Sequence, residues 1–249
     1  MTTTGIAAAR KPPSDPSPRY LHEHPIEHAT IKEVAPGVHW VRMPLPFALD
    51  HINLWVLEDA DGWTLVDFGI DLPRTRALWQ EIFAGPLAGK PVKRLIATHF
   101  HPDHLGCAGW LAEMAGAPLS ITAQEWARAQ LMRGRTPENF GPLVARAYTR
   151  AGLGDAMASA SGMDGYNYAV HVGLLPAAYD ELDSGQRVAA GGAVWHVVVG
   201  EGHSPQLAAL YCAEQRILIS GDQILPGITP NISVPAMAPE LNPLADFLA

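Results

Sequence analysis

Thr98-His99-Phe100-His101-Pro102-Asp103-His104 closes an apolar run that begins at Val92, and the reading of this stretch decides the reading of the whole chain. Two histidines two apart on extended backbone project to the same side, so His99 and His101 can grip one ion. Pro102 turns the chain, and Asp103 with His104 then stands at the mouth of the next helix. The positive end of that helix disfavours an imidazolium at His104 and helps keep the ring neutral, which is the form that binds metal.

Working outward, extended segments are expected at residues 37–43, 53–58 and 63–66, with Asp59, Asp61 and Gly62 making the second connection a hairpin. Residues 74–83 carry apolar side chains at helical spacing, and 92–98 resemble a buried strand. A helix at 105–115, a strand at 119–122 and a helix at 124–133 follow. Residues 134–176 are rich in Gly, Pro, Ala and Met, with helical fragments around 142–151 and no strand run, so they read as an insertion. A long segment of that kind in a compact domain is expected to cover a substrate as a lid. Residues 193–199, 206–212 and 216–220 then form three successive strands. The fold class is mixed α/β (α+β), with a flexible leader at 1–30 and one domain over 31–249. Asn242, Pro243 and Leu244 have the form of a helix N-cap and first turn, and the end at Ala249 leads us to expect a fragment of a longer protein.

Composition narrows the partners. With 249 residues, 48% hydrophobic and 17% charged, the chain can bury a substantial core as a single domain. A net charge of −8 without a basic run argues against nucleic acid and leaves a small molecule as the expected substrate. Cys107 and Cys212 lie far apart and form no CxxC pair, so a reducing cytoplasm is the expected compartment. The leader has no apolar core of a secretory signal, and no apolar run approaches the roughly 20 residues that cross a bilayer, so no membrane association is expected.

HxHxDH after a strand resembles the metal-binding motif of the metallo-β-lactamase superfamily, whose members share a four-layer αβ/βα sandwich. Three further stretches resemble that family's motifs in the same order: Leu65-Val66-Asp67-Phe68-Gly69, Gly202-His203-Ser204 and Ser220-Gly221-Asp222. The resemblance implies that His99, His101 and His203 bind a first zinc ion. It implies that Asp103 and His104 bind a second, with Asp222 between the two and Asp67 supporting the ligands from behind. A hydroxide would lie between the ions, oriented by Asp103 as the catalytic residue. One departure stands out: the family supplies a final histidine to the second ion from a later strand, and no histidine follows His203.

Other readings carry less. His22, His24, His28, His39, His51, His171 and His196 have no partner at ligand spacing and read as structural or exposed. Asp67-Phe68-Gly69 spells the kinase DFG, but no glycine-rich phosphate loop or HRD loop accompanies it, and Ser204 has no GxSxG elbow. Cys107 reads as a packing residue. Arg128, Arg133, Arg135, Arg146 and Arg150 read as a solvated face.

An aspartate at position 222 resembles glyoxalase II and lactonases, whereas many metallo-β-lactamases place a cysteine or serine there. Zinc-dependent hydrolysis of an ester or thioester is therefore the expected activity. Two alternatives stay open: a non-haem iron oxygenase similar to persulfide dioxygenases, and a non-catalytic binding module of the same fold.

Overall fold

The structure is a computed structural model that describes residues 19–22, 24–158 and 168–249. Most of the expected leader, residues 1–18, lies outside the described residues, as do 159–167 of the expected insertion.

Two sheets face each other. The larger has seven strands in sequence order: β1 (Ile31–Ala35), β2 (Val38–Pro44), β3 (His51–Asp59), β4 (Gly62–Val66), β5 (Val92–Ile96), β6 (Leu119–Ile121) and β7 (Asp180–Glu181). Its first four strands form an antiparallel meander, and β4 to β7 are parallel. Parallel neighbours need crossovers, which helices supply. These are α1 (Pro73–Ala84), α2 (Pro102–Leu105), α3 (Ala108–Ala115), α4 (Ala123–Arg133), α5 (Pro137–Arg150) and α6 (Tyr168–His171). The smaller sheet has four antiparallel strands, β8 (Arg187–Ala190), β9 (Ala193–Gly200), β10 (Leu207–Cys212) and β11 (Ile217–Ile219), in the order β11-β10-β9-β8. A last helix, α7, spans Pro243–Leu248.

Burial follows the strand period of two. Ala193, Trp195 and Val197 of β9 join Ala208 and Leu210 of β10 and Val66 and Ile96 of the larger sheet in one core between the sheets. A second core, with Leu65, Leu95, Trp79, Ile82 and Leu111, lies between the larger sheet and its helices. The outer face of the smaller sheet leaves Val194, Val198, Tyr211 and Leu218 exposed. Among the described residues no helix is long and apolar enough to cross a membrane.

Most expected elements are present, and two differ for physical reasons. The helix expected at 105–115 is two short helices broken at Gly106 and Cys107. The Cys107 amide donates to the Gly69 carbonyl at 3.0 Å instead of back along the helix, and a side chain at Gly106 would come within 2.5 Å of the Gly69 and Pro102 carbonyl oxygens. The insertion helix starts at Pro137, well before 142, because Thr136 and Asn139 form a reciprocal capping box. Pro142 lies in its second turn, where the missing N–H removes one helical bond without ending the helix. Strands β1, β7 and β8 were not expected.

Candidate metal centre

Site residues gather at one edge, where the parallel strands end and the two sheets meet. In open α/β sheets this carboxyl edge is the usual place for a ligand. Asp67 follows β4, Thr98 to His104 follow β5, His203 lies in the β9–β10 connection, and Asp222 lies on a 3-10 turn, Gly221–Gln223, after β11. The Ala208 amide donates to the Thr98 carbonyl at 2.8 Å and joins the two sheets at this point. Gly221, at φ +49°, lets its turn pass so close to Thr98 that a Cβ would lie 3.0 Å from the hydroxyl.

Three ring nitrogens converge. His99 Nε2 is 2.9 Å from His101 Nδ1, which is 3.0 Å from His203 Nε2, and the His203 and His99 Nε2 atoms are 3.3 Å apart. Four tetrahedral donors at about 2.0–2.1 Å from zinc stand roughly 3.3 Å from each other, so this triangle has the size of one ion's coordination face. With Asp222 these residues place one donor atom each within 4.8 Å of one another, and Asp103, His104 and Asp222 form a second such group.

Partners behind the rings fix which nitrogen is free. Asp67, held at φ +62°, accepts from the Thr98 amide at 2.7 Å and from the Thr98 hydroxyl at 2.8 Å. A carboxylate only accepts, so His104 Nδ1, 2.8 Å from Asp67 Oδ2, carries a hydrogen, and Nε2 is the nitrogen that can take either a second proton or a metal ion. The Thr98 hydroxyl spends its hydrogen on Asp67, so His99 Nδ1 donates to it at 3.0 Å and His99 Nε2 faces the cluster unprotonated. His203 Nδ1 donates to the Asn231 carbonyl at 2.9 Å and frees its Nε2 likewise. Such outer partners orient metal-ligating imidazoles.

His104 Nε2 is buried without a hydrogen-bond partner, 3.3 Å from Asp222 Oδ1 and 3.6 Å from Asp103 Oδ2. An orphaned buried nitrogen facing two carboxylates is what a cation between them would explain. Electrostatics agree. Burial and the neighbouring imidazoles hold His99 well below its ordinary value and bring His101 down to about 3, so both rings are neutral. The expectation that a helix end keeps His104 neutral is overturned: burial opposes a charge, but Asp103, Asp67 and Asp222 together outweigh it and hold the ring well above its ordinary value. Burial would raise Asp222, yet His104 and His203 bring its carboxyl down to about 2. The donors thus form three neutral imidazoles and a carboxylate on one side, and a strongly cation-seeking group on the other.

The sequence profile of the metallo-beta-lactamase superfamily matches residues 48–247. The chain belongs to this superfamily. A beta-lactamase domain protein from Burkholderia ambifaria is similar in structure, with 40% identity and a TM-score of 0.79 over 91% of this chain and 64% of that one. The chain thus spans 64% of the length of that relative. A metallo-beta-lactamase family protein from Thermus thermophilus has 29% identity and a TM-score of 0.70, covering 87% of this chain and 68% of its own. The metallo-beta-lactamase from Pontibacter korlensis, at 17% identity and a TM-score of 0.52, shares the fold, covering 82% of this chain and 75% of its own. Among curated proteins none matches the chain.

All seven residues singled out in the sequence, Asp67, His99, His101, Asp103, His104, His203 and Asp222, come together here. Two residues at the site were missed. Tyr168 of the insertion donates its hydroxyl to the Phe100 carbonyl, and Glu125 of α4 is a fully buried carboxylate. Burial pushes Glu125 up, against the opposing pull of the Gln206 amide, the Ser204 hydroxyl and the Phe100 amide. Its signal was present: Glu125, Ala129 and Met132 are the buried residues of α4, at the spacing of one helix face, so a glutamate occupies a core position.

Proposed function

We propose that the chain is a zinc-dependent hydrolase acting on an ester or thioester of a small molecule. The observation that carries this reading is the placement of Asp222. Its Oδ2 lies 3.6 Å from His203 Nε2 and its Oδ1 3.3 Å from His104 Nε2, so one carboxylate serves both donor groups. Membership of a superfamily composed mostly of metal-dependent hydrolases supports the same reading. The donors are nitrogen and oxygen only, since Cys107 and Cys212 are buried and free elsewhere.

Bound at such a centre, divalent ions lower the pKa of a coordinated water to about 7 and polarise the carbonyl it attacks. The chain's residues arrange the rest. His99, His101 and His203 are held neutral and aimed by Thr98, the protein interior and Asn231. Asp103 is 22% exposed at its side chain and lies at the mouth of the site, where Oδ2 can accept a hydrogen bond from the attacking water and orient it. Asp67 holds the His104 hydrogen on Nδ1, away from the reacting side.

Elemental analysis of protein purified without added metal, with assays on activated thioesters and esters, tests the proposal. Zinc and turnover are expected in the parent chain and lost in a His99→Ala, His101→Ala double variant. Unchanged zinc content in that variant would sink the assignment. Iron with oxygen consumption on a persulfide would favour the oxygenase instead, and bound metal without turnover a binding module. Donor count adds an order of binding: four donors in the first group against three in the second predict one tight and one weaker ion in a zinc titration.

A further inference from the structure

Glu125 is fully buried, yet it lies on a helix that contributes no residue to either donor group. Its carboxylate accepts three hydrogen bonds. The Phe100 amide donates to Oε2 at 3.0 Å, and the Ser204 hydroxyl and Gln206 amide donate to Oε1 at 2.7 Å and 2.6 Å. Phe100 stands between His99 and His101, and Ser204 follows His203. The Phe100 peptide is held from its other side too, by the Tyr168 hydroxyl on its carbonyl. A buried carboxylate is costly unless hydrogen bonds satisfy it, and three donors from two separate loops do so here.

We propose that Glu125 is a positioning residue of the metal centre: by tying the Phe100 amide to the Ser204 to Gln206 loop, its carboxylate sets the spacing between the His99–His101 pair and His203. The proposal rests on the reading of that cluster as a metal site. Joining the loops and spacing the three nitrogens use the same two oxygens, so the two roles separate in metal affinity and ligand-field bands, which a loss of fold stability alone does not move. A glutamine side chain in its place cannot do this: with its oxygen facing Ser204 and Gln206, its amide group meets the Phe100 N–H donor to donor.

The experiment is chelator competition for zinc on the metal-free whole chain, read beside the visible bands of the cobalt(II)-loaded chain and the thermal midpoint of the metal-free chain. Glu125→Gln is expected to weaken zinc binding about ten- to a hundredfold and to shift the cobalt bands. Ser204→Ala, which removes one of the three bonds, moves both in the same direction by less. Leu111→Ala, a truncation in the buried core, lowers the thermal midpoint and leaves affinity and bands in place. Parental affinity and bands in Glu125→Gln overturn the proposal, as does a loss that Leu111→Ala reproduces. If Glu125→Gln does not fold, Ser204→Ala decides alone, and parental behaviour there overturns it. Absence of zinc binding from the parent chain overturns the metal reading and this proposal with it; equal binding by parent and variants overturns the positioning role only.

Discussion

Asp67 adopts φ +62°, a backbone conformation that aspartate tolerates better than most residues. The turn aims its two oxygens at Thr98 and His104, and through them sets the tautomers of His99 and His104. Asp67→Asn keeps the shape and removes the acceptor facing His104. With an amide there, His104 must accept at Nδ1 and carry its hydrogen on Nε2, where the lone pair should be. Affinity for the ion at Asp103, His104 and Asp222 is therefore expected to fall about ten- to a hundredfold, with smaller change at the other. Zinc stoichiometry under a fixed chelator concentration checks this; a variant that still takes up both ions normally would show that the tautomer is not set by Asp67. The motif residues were legible because their spacing along strand ends is local. Glu125 carried only the signal of a core position on α4; its link to the site was not legible, since its partners lie 25, 79 and 81 residues away and sequence gives no direct measure of such contacts.

At the scale of elements, the break between α2 and α3 shows what periodicity conceals. Apolar spacing runs through 105–115 as though one helix were present, but the Cys107 amide leaves the helical ladder for the Gly69 carbonyl at 3.0 Å, and Gly106 packs where a Cβ would meet the Gly69 carbonyl oxygen at 2.5 Å and the Asp71 amide at 2.6 Å. That contact seats the short helix bearing Asp103 and His104 against the turn bearing Asp67; the Phe68 amide donates to the His104 carbonyl at 2.8 Å. Gly106→Ala should push the two apart, at a cost of about 1–3 kcal/mol or more in stability. It should also weaken the second ion, which chemical denaturation and zinc titration of the same variant would show; a stable variant with normal zinc binding would mean the contact is slack. The strands missed in the sequence share a different cause. β7 has two exposed residues and β8 four residues in all, too short for an alternation to register, and β1 is a half-buried edge strand. The insertion is less separable than its composition implied, because its Phe140, Tyr168 and Val172 belong to the core between the larger sheet and its helices.

For the whole molecule, the cluster couples stability to pH. His99 and His101 titrate below their ordinary value of 6.5 in the folded chain, His101 at about 3, so below 6.5 the unfolded chain binds protons that the folded one refuses. Stability therefore falls as pH falls through that window, and the lowered Asp222 adds to the loss at its acid end. His104 is raised, so its contribution is present below 6.5 and is lost as pH rises through its folded value. The metal-free chain is expected to have its highest thermal midpoint near pH 6.5, falling on both sides. Zinc should flatten the alkaline side by taking the place of the His104 proton; a midpoint that rises steadily through about pH 8 without metal would contradict this. The two-sheet architecture was largely legible, because strands carrying the motifs are strongly apolar and the motifs fix their order. Whether Asp222 joins two donor groups into one metal centre is decided by anomalous diffraction at the zinc edge from crystals grown with zinc. A strong peak is expected among His99 Nε2, His101 Nδ1 and His203 Nε2 and a weaker one beside His104 Nε2, with an Asp222 oxygen facing each. Zinc found only at exposed histidines such as His22 or His24, with no peak in the cluster, would contradict a shared centre.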